Sequence, residues 1–514
     1  MAVYRGHSSL ALTDINNTSG VLDFVRLAPK YDIKPVVGID FRDGVRLLFV
    51  GIAKNNNGFR ELNDFLSEHL IEKKNLPERA PWFKDVYVVY PFGSVNYGRL
   101  RENEFVGILP RDLSRLPFSK WKNAPDKLVA LTPVSFRSKR DFNAHRLLRA
   151  IDNNTLLSKL PVSEQAFETE VMLTETEMRN LYRGFPRLVD NARLLLDQCH
   201  ISFEFGVSKN KKVFFASQTE DNERLEKLTY AGLKYRYANP DKNILDRVRT
   251  ELDVIKKLGY TSYFLINWDL LYYARKKGYY YVGRGSGANS VVAYCLRITD
   301  VDPIDLDLYF ERFINPSRKN PPDFDIDFSW KDRDDITHYI FNKYPNHHAA
   351  LLATYSTFQY KAVIRELGKV FGLPKHEIDK LSDEHRDIKM DELDQISRLV
   401  FQYGKLIHGF PSHLSIHAGG ILISEKKITN YTALNLPPKG FPTTQFSMLE
   451  AEDVGLYKFD ILSQRGLGHI RDSVDIIKKN RGVEIDIHDI KAFKQDPKIK
   501  ANLRSARAQS PPDI

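Results

Sequence analysis

Residues 321–328 have the sequence Pro-Pro-Asp-Phe-Asp-Ile-Asp-Phe, and this stretch decides how the surrounding region should fold. In a β-strand, side chains alternate between two faces, so Asp323, Asp325 and Asp327 would share one face and the apolar side chains the other. Three neighbouring carboxylates repel one another, and a divalent cation with oxygen ligands relieves that repulsion. The pattern therefore predicts a metal site on a strand whose other face lies in a core.

Two other interpretations of the same stretch remain open. An edge strand with a solvated acidic face would need no metal, although Asp is depleted in strands. A calcium-binding loop also begins Asp-x-Asp-x-Asp, but its sixth position requires Gly where Phe328 stands, and its twelfth position is Asp334 instead of Glu. Both interpretations fit the residues less well than a metal-binding strand.

A second informative stretch is the glycine-rich segment Val-Gly-Arg-Gly-Ser-Gly-Ala-Asn-Ser at 282–290. It follows an aromatic strand and precedes an apolar helix, so its backbone N–H groups and the helix N-terminus are predicted to bind phosphate. Arg284 and Ser286 would add a guanidinium and a hydroxyl group. The segment matches neither the dinucleotide-binding pattern nor a P-loop. The alternative is that the segment is only a tight connection between the strand and the helix, in which glycine is needed for positive φ.

Together, a phosphate-binding turn followed by alternating carboxylates is the arrangement expected for two-metal nucleotidyl transfer. The intervening segment, Phe-Glu-Arg-Phe-Ile-Asn-Pro-Ser-Arg-Lys-Asn, includes Arg312 as a candidate phosphate contact. A plain surface or ion-pair role for Arg312 is the alternative.

The composition is that of a large, basic, globular chain. It has 514 residues, 42% of them hydrophobic, and a formal net charge of +10. The length predicts about three or four domains, and the positive charge favours a polyanionic partner. Cys199 and Cys295 lie far apart in apolar surroundings and are predicted to be buried thiols. Without an apolar run of signal-peptide or membrane-span length, we expect a soluble, cytoplasmic protein with no membrane partner.

The chain changes character along its length. From residue 10 to about 151, short apolar runs alternate with amphipathic helical stretches, which predicts an α/β layer or barrel with parallel strands. Residues 152–218 are predicted to be mostly helical, with a boundary near 201–207. Helical spacing then continues to the short strand Tyr-Tyr-Tyr-Val-Gly before the glycine-rich segment.

Four stretches, in this order, resemble signatures of the bacterial C-family replicative DNA polymerases, the DNA polymerase III alpha subunits. They are GRGSGANSVVAYCLRITDVDPI, FERFINPSRKNPPDFDIDF, SIHAGGILIS and LYKFDIL. The resemblance extends over nearly the whole chain. It implies template-directed DNA synthesis, with dNTPs and primed template DNA as substrates and two Mg²⁺ ions as cofactors.

The resemblance also implies a multi-domain fold of the α/β and α+β classes. A PHP-type α/β barrel would be followed by a polymerase-beta-like nucleotidyltransferase palm with an inserted helical thumb. The implied domains are the PHP-like domain at 1–205, the palm at 206–353 and 442–480, the thumb at 354–441, and the beginning of the fingers at 481–514.

The functional residues follow from the same resemblance. Asp323 and Asp325 would be metal ligands and catalytic residues, with Asp460 as the third carboxylate and Asp327 in a supporting role. Without the resemblance, Asp460 would be an ordinary residue of an apolar strand. The implied nucleotide-binding residues are Arg284, Gly285, Ser286, Arg312 and Lys458.

In the implied thumb, Lys361 and Arg365 lie one helical turn apart and could contact the phosphate backbone of DNA. A solvated helix face is the alternative. His417, just before two glycines, is predicted to be a structural or DNA-contacting residue and not a metal ligand.

The first 200 residues resemble the PHP domain but depart from its metal-binding pattern. The His-x-His strand is absent, with only His7 nearby; the usual Asp-His is Asp14-Ile15, and an expected Asp-x-His is Pro133-Val134-Ser135. With imidazoles absent from three places, we expect no zinc or manganese here and a structural role for the domain.

Departures at the two ends affect the expected activity. The first barrel elements are expected to be missing, and the chain is expected to stop soon after the third aspartate. A sliding clamp and a proofreading exonuclease are implied as partners, through regions largely missing here, so efficient polymerisation by this chain alone is not expected. A PHP-type phosphoesterase or 3′–5′ exonuclease, and a non-catalytic fragment that binds DNA or the replisome, are the alternative functions.

Overall fold

The computed structural model describes residues 1–315, 322–383 and 393–508. Pro321, the first residue of the acidic stretch, and residues 316–320 before it are thus outside the described residues, as are parts of the predicted thumb (384–392) and fingers (509–514). None of the described helices combines the length and apolar character needed to cross a bilayer.

The strands, in chain order, are β1 (Ser9–Ile15), β2 (Lys34–Asp43), β3 (Arg46–Ala53), β4 (Val86–Pro91), β5 (Glu104–Ile108), β6 (Leu128–Ala130), β7 (Tyr281–Arg284), β8 (Asp325–Ser329), β9 (Ala349–Thr357), β10 (Pro411–Ile423), β11 (Leu434–Asn435), β12 (Thr443–Thr444) and β13 (Lys458–Gln464).

The α-helices are α1 (Val21–Leu27), α2 (Asn56–Glu72), α3 (Lys139–Asp152), α4 (Glu175–Leu181), α5 (Pro186–Asp197), α6 (Gln218–Arg236), α7 (Lys242–Lys257), α8 (Thr261–Lys276), α9 (Val291–Cys295), α10 (Arg333–Lys343), α11 (Tyr360–Phe371), α12 (Lys375–Leu381), α13 (Gln395–Ile407), α14 (Met448–Val454), α15 (Arg465–Arg481), α16 (Ile490–Gln495) and α17 (Pro497–Ala508). Strands and helices therefore form a mixed α/β protein.

The chain forms two compact units, each built from separated segments. The first unit comprises Met1–Val207, Leu351–His417 and Ile428–Val454. The second comprises Ser208–Ala350, Ala418–Lys427 and Gly455–Ile514. The domain boundaries implied by the family resemblance stay a prediction.

The first unit contains a six-stranded sheet in the order β1 to β6. The expectation of parallel strands holds for β1–β2, β4–β5 and β5–β6, but it is wrong for β2–β3 and β3–β4, which are antiparallel. The reason at β2–β3 is local. Gly44 and Val45 alone connect the strands, and Gly44 has φ 57°, so the pair is a tight hairpin.

Aromatic packing forms the core between this sheet and α2. Phe59, Leu62 and Leu66 of α2 are fully buried in one cluster with Phe41 and Phe49. The two phenylalanine rings lie 4.7 Å apart. Helix α2 begins after Asn55, whose side chain accepts hydrogen bonds from the N–H groups of residues 57 and 58.

The stretch predicted to be mostly helical, 152–218, contains α4 and α5, but its first part is not α-helical. Helix α3 ends at Asp152, and Asn154 has φ 47°, which a continuing right-handed helix cannot accommodate. Two short 3₁₀ turns follow, at Leu157–Lys159 and Val162–Glu164. The backbone reversal after α3 therefore interrupts the expected helix.

A second cluster in the first unit joins α3 to α11 and α13. Leu147 packs with Val363, Leu367 and Val400, and all four side chains are at most 2% exposed. The same unit contains the short strands β11 and β12, and β12 pairs in parallel with β9.

In the second unit, the strands lie in the order β10, β13, β8, β7. Only the final part of β10, from Ala418 onward, belongs to this unit. The central pair, β13–β8, is parallel, whereas both outer pairs are antiparallel. Ile326, Phe328 and Ile461 are fully buried on these strands. This sheet holds the carboxylates predicted to bind metal.

Candidate metal and nucleotide site

One row across the sheet of the second unit sets the geometry of the candidate site. Arg284 of β7 pairs with Asp325 of β8, Asp325 pairs with Asp460 of β13, and Asp460 pairs with Gly420 of β10. Directly paired residues point to the same face of a sheet. The register therefore places the two carboxylates side by side, with a guanidinium next to them.

Asp323, Asp325 and Asp460 form one carboxylate cluster. A ligand oxygen from each residue lies within 4.8 Å of the others. An ion with oxygen ligands at about 2.0–2.6 Å can contact oxygens separated by up to roughly 5 Å. The spacing of the three carboxylates therefore suits divalent cations.

The sequence predicted that all three alternate aspartates lie on one strand, and this prediction is wrong for Asp323. Strand β8 begins at Asp325, so Asp323 and Phe324 precede it. The backbone N–H of Phe324 donates a 2.8 Å hydrogen bond to the hydroxyl oxygen of Tyr263 on α8. Asp323 therefore lies on a turn before the strand, and the Tyr263 side chain of α8 fixes the position of that turn.

Phe324 itself is enclosed by aromatic rings. Its ring stacks on Tyr263, with centroids 5.4 Å apart and an interplanar angle of 4°, and lies 4.8 Å from the ring of Phe313 and 5.2 Å from that of Phe264. The side chain is 2% exposed. The residue between the two acidic positions is thus a fixed core residue.

Two cations lie among the carboxylates. The ammonium of Lys458 donates to Asp323 and Asp460, and the guanidinium of Arg284 donates to Asp327 at 2.7 Å and to Asp325 at 3.1 Å. These contacts partly offset the repulsion among the negative charges. The structure therefore brings Arg284 and Lys458 to the cluster.

The carboxylates change the acidity of both cations. Burial lowers the pKa of Lys458, but its hydrogen bond to Asp460 and the charges of Asp323 and Asp460 outweigh burial, so the net pKa is raised. The hydrogen bond to Asp327 raises the pKa of Arg284 further above its ordinary value. Both side chains therefore remain positively charged near neutral pH.

Two buried carboxylate oxygens in the site are candidates for contact with a cation. The Oδ1 atoms of Asp460 and Asp327 are buried and accept no hydrogen bond from the part of the chain that the structure describes. A buried carboxylate oxygen without a partner is costly unless a cation or water contacts it. The donor set, all carboxylate oxygens, matches the preference of Mg²⁺ and similar hard ions.

Glycines let the glycine-rich segment approach these carboxylates. Gly285 has φ 78°, and a Cβ there would lie 2.9 Å from Oδ2 of Asp325. A Cβ at Gly287 would lie 2.3 Å from the ring of Phe324. Both glycines are needed for close approach, and Ser286 follows the turn with its hydroxyl oxygen 3.5 Å from the carbonyl oxygen of Asp323.

The prediction that the N-terminus of the following helix binds phosphate is wrong. The N–H groups of Val291 and Val292, at the start of α9, donate to the carboxylate of Glu251, and Ser290 donates its hydroxyl to the same carboxylate at 2.7 Å. Helix α9 is only five residues long and ends at Cys295. A side-chain anion already occupies this N-terminus, which leaves the preceding turn as the candidate phosphate contact.

Glu251 is fully buried and pairs with Arg247, whose Nε lies 2.7 Å from it. Burial raises the pKa of Glu251, while the hydrogen bonds from Arg247 and Ser290 oppose that rise. Arg247 also donates to the carbonyl oxygens of Asn289 and Leu308. The pair therefore links the glycine-rich turn to the segment before Arg312.

The remaining predicted residues lie on other elements. Arg312 is exposed at the end of the 3₁₀ turn Phe310–Arg312, next to Phe313 of the aromatic cluster. Lys361 and Arg365 lie on α11 and His417 on β10, all in segments of the first unit.

Residues at the positions compared with the PHP metal-binding pattern lie in the first unit. His7 contacts the carbonyl oxygen of Leu173 through Nε2 at 2.7 Å. Asp14 lies near the end of β1, where burial raises its pKa. Ser135 donates its hydroxyl to Glu170 at 2.6 Å.

Sequence reasoning missed Tyr263, Glu251 and Arg247. Each lies in a long helical stretch whose apolar spacing is that of an ordinary core helix. The one local signal in the sequence is the spacing of Arg247 and Glu251, which are four residues apart and can form an ion pair along one helix face.

The chain is similar to known bacterial DNA polymerases. Residues 223–463 match the family described as bacterial DNA polymerase III alpha NTPase domain. The chain is 32% identical to the DNA polymerase III subunit alpha of Bacillus subtilis, over 94% of this chain and 48% of that protein. It is 31% identical to the subunit alpha of Buchnera aphidicola (93% and 47%) and 30% identical to an error-prone DNA polymerase of Symbiobacterium thermophilum (93% and 50%).

The chain thus spans about half the length of the curated relatives it matches. The matched family segment contains the whole carboxylate cluster, both bridging cations and the glycine-rich turn. By these matches, the chain is similar to bacterial DNA polymerase III alpha subunits over nearly all of its own length.

Proposed function

We propose that the complete polypeptide containing this chain is a DNA-directed DNA polymerase of bacterial chromosome replication. It would transfer nucleotides from dNTPs to the 3′ hydroxyl of a primer on template DNA. The observation that supports this most strongly is the convergence of Asp323, Asp325 and Asp460 within a segment that matches the family.

The three aspartates would hold two Mg²⁺ ions. Bound ions would supply Lewis acidity toward the attacking hydroxyl and the triphosphate. The chain's own contribution is to fix the carboxylates: the register of β8 and β13 aligns two of them, and the turn before β8 supplies the third.

The cations and the glycine-rich turn would bind the triphosphate of the incoming dNTP. Arg284 and Lys458 already lie within hydrogen-bonding distance of the carboxylates, so a polyphosphate bound there would meet two positive charges. Gly285 and Ser286 would contact it through the turn, and Arg312 is the third proposed cation.

We assign the family's domains to this chain as part of the proposal. They are a PHP-like domain at 1–205, a palm at 206–353 and 442–480, a thumb at 354–441 and the beginning of the fingers at 481–514. In the thumb, Lys361 and Arg365 would contact the DNA backbone. A sliding clamp and a proofreading exonuclease are the proposed protein partners.

Primer extension by the complete polypeptide tests the proposal. We expect Asp323→Asn and Asp325→Asn to reduce extension at least about 100-fold, because loss of a metal ligand should cost no less than loss of an outer-shell partner. Asp334→Asn, an exposed acid on α10, is the matched control and should extend normally. Extension retained by the first two variants would rule out the assignment.

A further inference from the structure

Tyr263 of α8 contacts the residues adjacent to all three carboxylates of the cluster. Its hydroxyl accepts the N–H of Phe324, which lies between Asp323 and Asp325, and its ring stacks on that of Phe324. The same ring lies 5.0 Å from that of Phe459, the neighbour of Asp460. One side chain therefore touches both segments that supply the carboxylates.

The hydroxyl compensates for a hydrogen bond that the sheet does not supply. Phe324 lies before the first residue of β8, and the β8–β13 pairing begins at Asp325 and Asp460. Phe324 is nearly fully buried, so its N–H needs a partner within the protein. Tyr263 provides that partner and so fixes the peptide group between Asp323 and Asp325.

Packing alone does not account for a tyrosine at this position. Phenylalanine would make the same ring contacts, and a buried phenol is tolerated only when its hydroxyl is hydrogen-bonded. Burial, together with the charge of Asp323, raises the pKa of Tyr263 well above its ordinary value, so the phenol is neutral. The hydroxyl thus has a specific structural partner on the acidic turn.

We propose that Tyr263 is a positioning residue for the metal site, holding Asp323 at the distance from Asp325 and Asp460 that joint metal binding requires. This inference rests on the proposed function, because it concerns the same carboxylates. The side chain acts through the Phe324 peptide group, which sets where the Asp323 carboxylate lies.

Binding of Mn²⁺ to the 514-residue chain tests the inference, with free Mn²⁺ measured by electron paramagnetic resonance. Tyr263→Phe keeps the ring contacts and removes the acceptor, so we expect Mn²⁺ to bind about 10- to 100-fold more weakly. Tyr281→Phe is the matched control. Tyr281 is also buried in the second unit, and its hydroxyl donates to the Arg297 carbonyl oxygen at 2.9 Å.

Thermal unfolding and amide hydrogen exchange accompany the titration. We expect the two tyrosine variants to unfold at similar temperatures, and we expect only Tyr263→Phe to speed exchange in peptides containing Phe324. If Tyr263→Phe binds Mn²⁺ like wild type, or if both variants weaken binding equally, the inference is wrong.

Asp325→Asn separates this inference from the proposed function. Reduced Mn²⁺ binding by Asp325→Asn, with normal binding by Tyr263→Phe, would overturn the positioning role alone. Equal binding by wild type and Asp325→Asn would instead overturn the metal site itself, and the inference with it.

Discussion

Single charges in the second unit have specific partners, and Asp300 illustrates how those partners affect stability. Its carboxylate accepts one hydrogen bond from Arg236 at 2.8 Å and contacts His488. Burial raises the pKa of Asp300, but the hydrogen bonds and charges of His488 and Arg236 outweigh it, and the net pKa lies below the ordinary value of 3.8. The ionised form is therefore favoured in the folded chain.

A lowered pKa makes the stabilisation by Asp300 depend on pH. It should be fully present above about pH 4 and should disappear as the pH falls through the folded-state pKa, because the unfolded chain binds the proton more readily. At pH 7, Asp300→Asn should lower the free energy of unfolding by about 1.5–3 kcal/mol, as measured by urea denaturation. The difference from wild type should shrink in acid.

Asp305→Asn is the control for this prediction. Asp305 pairs with Lys494 but its side chain is 56% exposed, so we expect a change below about 1 kcal/mol. A difference between Asp300→Asn and wild type that is constant from pH 7 to pH 3 would contradict the assignment of the lowered pKa.

At the residue scale, the sequence predicted some site residues and missed others for physical reasons. Asp323 and Asp325 stand out because alternating carboxylates are unusual in a strand. Asp460 lies in an apolar strand and became a candidate only through the family resemblance. Tyr263 and Glu251 act through tertiary contacts with distant segments, and local sequence contains no record of those contacts.

At the scale of elements, the glycine-rich turn depends on contact with an aromatic ring. Gly287 is buried, and a Cβ there would lie 2.3 Å from Phe324, whose ring is confined by Tyr263 and Phe313. The ring cannot move away without shifting the turn that holds Asp323. The glycine is therefore required by packing as much as by any contact with phosphate.

Gly287→Ala should consequently destabilise the chain by about 1–3 kcal/mol in urea denaturation, the usual cost of overpacking a core. Gly466→Ala is the control. Gly466 lies in the first turn of α15, where a Cβ would meet no atom within 4 Å in the described part of the chain. That substitution should leave stability unchanged or raise it by up to about 1 kcal/mol. Equal stability of Gly287→Ala and wild type would show that Phe324 is free to move.

Most elements were predictable because their periodicity is strong, and the failures have local causes. The hairpin at Gly44 made β2 and β3 antiparallel where alternation with helices had suggested parallel strands. The stretch 152–218 was predicted to be mostly helical, but Asn154, with φ 47°, interrupts it directly after α3. Backbone reversals at single residues are weakly encoded by hydrophobic periodicity.

At the scale of the whole molecule, chain order is a poor guide to which segments form each unit. Residues predicted as separate PHP-like and thumb regions share a core, since Leu147 of α3 packs with Val363 and Val400 of α11 and α13. The apolar positions were recognisable from sequence, whereas their pairing across two hundred or so residues depends on tertiary packing. The number of compact units could therefore be determined only from the structure.

The proposed function requires that Asp323, Asp325 and Asp460 of the second unit act together as a metal-dependent nucleotide site. The most direct test is equilibrium binding of a dNTP to the 514-residue chain, with Mg²⁺ and with EDTA. We predict binding that requires Mg²⁺, is weakened at least about 10-fold by Asp460→Asn, and is preserved in Asp332→Asn, a buried aspartate that pairs with Arg471. Binding that persists in EDTA, or that is unchanged in Asp460→Asn, would contradict the account.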